Sequence, residues 1–136
     1  MDSDNNSIPT ENTPVLPPPP LSLEDILSAV EVIQQKEAAD KVLLEGIGNA
    51  TTESLRPTLI RWAVQGFPNA FTLLEVVVVP PPQCSDGVSR SLTDYITFCS
   101  GKTIEEHVAL LQTKLTGMTV SFANMGSHIS IVVSKA

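Results

Sequence analysis

Leu23, Ile26, Leu27, Val30 and Ile33 recur at i, i+3, i+4, i+7 and i+10, the spacing of one apolar stripe on an α-helix. Ser22 stands before the first of them as a cap, and Asp25 follows three residues on, a relative of the Ser-x-x-Glu capping box. Glu24 and Asp25 suit the positive N-terminal end. The stripe lapses at Gln34–Glu37, resumes with Ala38, Val42 and Leu43, and stops at Gly46 and Gly48, so a helix is predicted over 22–46. Barely two heptads are regular, too few for a coiled coil. A shorter helix is predicted over 54–66, capped by Ser54, with Pro57 in its first turn and Gly66 as its stop. Its apolar side is read as Leu59, Ile60, Ala63 and Val64.

The pattern then changes period. AFTLLEVVVV, residues 70–79, is β-branched and apolar on both faces apart from Thr72 and Glu75, which predicts a strand in the middle of a sheet, ended by Pro80–Pro82. In LTDYITFC, residues 92–99, Leu92, Asp94, Ile96 and Phe98 alternate with Thr93, Tyr95, Thr97 and Cys99, which predicts a second strand. Thr103-Ile104-Glu105-Glu106 is a full capping box for a helix carrying Ile104, Val108, Leu111 and Leu115 on one face and closed by Gly117. Two alternating runs, MTVSFA and HISIVVS, flank Asn124–Ser127 and predict a hairpin. The expected fold is an α+β two-layer domain, in the order α-α-β-β-α-β-β, with a four-stranded mixed sheet and the helices on one face. The ββαββ portion is compatible with a β-grasp winding or with a right-handed crossover between parallel strands. Element order of this kind carries no function.

Residues 1–20, MDSDNNSIPTENTPVLPPPP, have no apolar period and end in a proline run that favours polyproline II. The chain of 136 residues therefore divides into an extended Pro-rich arm, 1–20, and one domain, 21–136. No run of roughly 18 apolar residues is present, and the acidic start MDSDNNS is unlike a signal peptide.

Charge narrows the partners. The net charge is −7; residues 1–20 carry Asp2, Asp4 and Glu11 and no base. The remaining bases are scattered, which disfavours phosphate neutralisation and so nucleic acid, and anionic membranes likewise. The two cysteines, Cys84 and Cys99, are too few for a disulfide scaffold and are expected to be reduced, as in a cytoplasm or a virion. Cys99 reads as a small core hydrophobe and Cys84 as an exposed loop residue. With His107 and His128 they could ligate zinc, but spacings of 15, 8 and 21 residues lack the close pairs of a structural site. His107 reads as a partly solvated residue at the core edge, and His128 as exposed or at a sheet edge. Ser100-Gly101-Lys102-Thr103 resembles the end of a phosphate loop, yet the position needing the upstream glycine is Ile96. A Cys99–His107 nucleophile pair lacks an orienting group and an oxyanion site. Neither cofactor nor metal is expected.

Catalysis needs convergent polar groups, and the sequence signals none. The expectation is a non-enzymatic structural or assembly protein of a multi-subunit complex, of the kind found in virions or phage particles, forming homo-oligomers or joining a larger assembly. The alternative is a cytoplasmic adaptor that binds a peptide along a sheet edge. Candidate partner-binding residues are Val15, Leu16, Pro17 and Pro18 in the arm, and Arg61 and Trp62 on the second helix. Trp62 stands about 130° from the middle of the stripe assigned to that helix, which makes it a candidate interface anchor.

Overall fold

The structure, a computed structural model, describes residues 17–136. Most of the 1–20 arm therefore lies outside the described residues; Pro17–Pro20 are exposed and outside any helix or strand. The elements are α1 (Leu23–Gly48), α2 (Thr52–Val64), β1 (Phe71–Val76), α3 (Leu92–Ser100), α4 (Ile104–Gln112), β2 (Met118–Asn124) and β3 (Ile129–Lys135). The described residues thus form an α+β fold of four helices and a three-stranded antiparallel sheet.

Each helix starts where a side chain satisfies its free backbone donors. The Ser22 hydroxyl accepts from the Asp25 amide while the Asp25 carboxylate accepts from the Ser22 amide. Thr103 and Glu106 do the same for α4. In α2 the cap is Thr51, with Ser54 as its reciprocal partner, so the helix starts three residues earlier than the sequence suggests. Pro57 consequently falls in the second turn, where it cannot donate to the Glu53 carbonyl.

The sheet order is β1-β3-β2. Val120 and Phe122 of β2 lie opposite Val133 and Ile131 of β3, and Phe71 and Val76 of β1 lie opposite Val133 and Ile129. This face meets the helices, and Ile129, Ile131 and Val133 are wholly buried. The opposite face carries Thr72, Glu75, Thr119, Ser121, Ser130 and Ser134. The hairpin is thus formed as its alternation predicts, with helices on one face.

Three expectations are corrected. Residues 92–99 are a helix: Leu92, Tyr95, Ile96 and Cys99, at i, i+3, i+4 and i+7, are its buried side, and Ser91 caps it. The sheet therefore has three strands rather than four and is antiparallel rather than mixed. The strand predicted at 70–79 ends at Val76 and lies at an edge, paired with β3 alone through a bulge between Thr72 and Leu74. Beyond it Val77 and Val79 are 62% exposed while Val78 is buried. The central strand is β3, which has a neighbour on each side.

The side of α2 that faces the core also differs from the expected one. Its buried residues are Leu55 and Trp62, with Leu59 packed against the cluster; Ile60 and Val64 point outward. Trp62 lies seven residues from Leu55 and belongs to that buried stripe.

Candidate functional site

Among the described residues, the first half of α1 carries an uncovered apolar stripe. The helix has 26 residues, about 39 Å of rise, yet its buried residues are Asp40, Leu44 and Ile47, all in its second half. On the first half Leu23 is 73% exposed, Leu27 58% and Ile26 48%; Val30 and Ile33 are half-buried. The stripe that the sequence shows most clearly is therefore the part of α1 that the chain does not bury. The resumption read at Ala38, Val42 and Leu43 is also exposed; the face that docks turns instead on Asp40, Leu44 and Ile47.

Polar anchors fix where α1 joins the body. The Tyr95 hydroxyl donates to the Asp40 carboxylate, and the Lys36 ammonium donates to the same group at 2.6 Å. Burial and the adjacent Asp40 carboxylate push the Tyr95 hydroxyl far above its ordinary pKa, so it stays a donor. Glu37 accepts from the Ser85 amide and hydroxyl at 2.8 and 2.6 Å, which ties the 80–91 loop to the helix. Within that loop Arg90 grips Asp86 with both guanidinium nitrogens at 2.9 and 2.6 Å and lies over the Phe98 ring; the Arg90 hydrogen bonds lower the Asp86 pKa to about 2. The same loop buries Cys84, which corrects its expected exposure.

The candidates singled out in the sequence fall in different places. Val15 and Leu16 lie outside the described residues, and Pro17 and Pro18 are exposed. Arg61 is exposed, its guanidinium 6.0 Å above the Phe71 ring. Trp62, 3% exposed, is enclosed by its own chain: the indole Nε1 donates to the Pro68 carbonyl at 2.8 Å, and its ring meets Phe67 edge-on at 5.0 Å. It pins a turn in which Phe67 and Ala70 both have positive φ. The structure thus separates the two α2 candidates. A reading that included Leu55 in the α2 stripe would have placed Trp62 inside.

Ser100 and His107 form a hydroxyl–imidazole pair at 3.0 Å, beside a cleft of about 320 Å3 that Lys102 and Glu45 also line. The Ser100 proton is committed to the Ile96 carbonyl at 2.6 Å, so the imidazole Nε2 is the donor and cannot act as base toward Ser100. Nδ1, buried and without a partner, has no carboxylate to orient it. His107, 2% exposed, is thus more deeply buried than expected, and burial, then Lys102, lowers its pKa. Burial raises the Cys99 pKa, the reverse of what a nucleophilic thiol needs. His128 is partly exposed, its Nε2 3.5 Å from Glu75 Oε2. Among the described residues no group of three or more His, Cys, Asp or Glu side chains is placed to hold a metal ion, and no helix is long and apolar enough to cross a membrane.

Both sheet edges are partly interrupted. The Gln112 side chain donates to the Met118 carbonyl at 3.0 Å and accepts from the Val120 amide at 2.8 Å, covering two backbone groups at the start of β2. The β1 edge is broken by its bulge. A cleft of about 560 Å3 between α2 and the start of β2 is lined by Arg56, Leu59, Ile60, Ala63, Lys114 and Met118 among others. Lys114 is already engaged there, donating to the Gly48 and Ala50 carbonyls at the end of α1. No protein-family model, curated protein or solved structure matches the chain.

Proposed function

We propose that the chain is a non-enzymatic structural or assembly protein of a multi-subunit complex, which docks on protein partners through a helix face and its N-terminal arm. The observation that supports this reading is the free half of α1. An apolar stripe over Leu23–Ile33, with Leu23, Ile26 and Leu27 open to water on one side of a helix, is the form of a protein-docking surface. The helix face is thus on α1 rather than around Trp62, and Pro17–Pro20 lead directly into it. The net charge of −7 favours protein over phosphate-bearing partners. The alternative of a peptide-binding sheet edge is weakened by Gln112 on β2 and the bulge on β1.

The test is sedimentation of a tagged chain in extracts of its source cells. Wild type is expected to travel in particles much larger than one chain, and Ile26→Glu with Leu27→Glu as a single chain. Wild type sedimenting as a single chain in that extract would refute the reading.

A further inference from the structure

We infer that the exposed run Pro17–Pro20 is recognised by a different protein, in a groove walled by tryptophan and tyrosine side chains. This rests on the docking role proposed above for the arm and names the chemistry of what the arm meets.

Four observations carry it. First, the shape is set before any partner arrives. Proline fixes its own φ, and a residue followed by proline is held to extended or polyproline II backbone, so Pro17, Pro18 and Pro19 have little other choice. Polyproline II returns to the same edge every third residue, which sets the Pro17 and Pro20 rings about 9 Å apart on one edge. Little backbone freedom is left to lose on binding. Second, the run is not part of the fold. Pro17–Pro20 are exposed, Leu21 after them is 80% exposed, and none of their carbonyls accepts a hydrogen bond from another described residue. The other proline run differs: Pro80 and Pro81 are half-buried, and the Pro82 carbonyl accepts from the Ser89 hydroxyl at 2.7 Å. Third, the chemistry of the run chooses its cover. Pro17–Pro20 have no N–H to give, so they cannot pair as a strand in a ladder. Their carbonyls need donors, which an aliphatic surface lacks. A flat ring that packs on pyrrolidine while its indole N–H or phenol O–H donates to a carbonyl satisfies both demands. Within this fold the Trp62 N–H already makes that bond to the Pro68 carbonyl. Fourth, a second copy has no such groove to offer. The chain has one Trp and one Tyr. Both are buried, the Trp62 N–H engaged with Pro68 and the Tyr95 hydroxyl with Asp40. Phenylalanine carries no donor, and the exposed pair, Phe67 and Phe98, lie under Lys135 and Arg90.

The test is calorimetric titration of the full chain with a panel of purified WW domains, whose grooves of aromatic rings differ in what they accept beside proline. At least one is expected to bind saturably, one domain to one chain. Pro17→Ala with Pro20→Ala removes both rings of one edge and should weaken that binding by about tenfold or more. The melting curve of the double variant should match wild type, because the run is exposed. No saturable binding across the panel would overturn the inference. Binding that the double variant leaves intact would overturn it too, and the run would then be a stiff spacer. The extract experiment above keeps the two readings apart. If no domain binds and wild type still travels in large particles, this inference falls and the assembly reading stands. If a domain binds at Pro17–Pro20 and wild type sediments as a single chain, assembly is refuted and proline recognition stands.

Discussion

At the scale of single residues, burial decides what each side chain is worth. Trp62 packs on Phe67 and bonds the Pro68 carbonyl, so Trp62→Ala should cost about 3–5 kcal/mol of folding stability, and Trp62→Phe about 1 kcal/mol, read from chemical denaturation. Loss of association with unchanged stability would instead make it an interface residue. Val77→Asp, at a side chain 62% exposed past the end of β1, should change stability by no more than about 0.5 kcal/mol. Tyr95→Phe leaves the buried Asp40 carboxylate with Lys36 alone and should cost about 1–3 kcal/mol. His107 has a pKa lowered in the fold from 6.5, chiefly by burial. The unfolded chain therefore binds the proton first, and stability present above pH 6.5 is lost as the pH falls from there toward the lowered native value. Melting curves between pH 6.5 and 5 should show this slope in wild type and a shallower one in His107→Gln. Identical slopes would show that the imidazole titrates alike folded and unfolded.

At the scale of elements, periodicity and capping served well where they agreed and misled where they competed. In α4 the Thr103–Glu106 box and the Ile104, Val108, Leu111 stripe point to one helix, and that helix forms. In α3 the same eight residues satisfy both a two-residue and a 3.6-residue period, and Thr, Tyr, Ile and Phe favour strands. The signal that separates them is Ser91, whose hydroxyl accepts from the Asp94 amide and so caps a helix. Gln112 shows an element protected by its neighbour. Gln112→Ala should expose the β2 amide and carbonyl it now satisfies, costing about 1–2 kcal/mol and raising the rate of aggregation seen by light scattering.

At the scale of the whole molecule, the division into an arm and a domain can be tested by truncation. Pro17–Pro20 are exposed, and the core cluster draws its first residue from Leu44. A chain starting at Leu21 should melt at the same temperature as the full chain when both are dilute, by circular dichroism. A large drop would place residues 1–20 within the core. The exposed stripe Leu23–Ile33, by contrast, belongs to the helix that follows and should persist in the truncated chain.

The amino-acid sequence by itself determined the N-terminal cap of α1, the start and the Ile104, Val108, Leu111 face of α4, and the β2–β3 hairpin, because each rests on contacts between residues near in sequence; α4 ends at Gln112, short of the Leu115 and Gly117 that the pattern assigned to it. It also displayed the stripe Leu23–Ile33. Only the tertiary structure decided which stripes are covered. Periodicity shows that a helix has an apolar side; whether that side meets the sheet depends on where the element lies, and that is set by residues far along the chain. Glu37 is held by Ser85 and Asp40 by Tyr95, so the body begins halfway along α1 and leaves its most regular stripe in water. For the same reason Trp62, which its local neighbours place outside, is drawn inward with Leu55, and β1 lies at an edge because β3, the last strand in the chain, takes the centre.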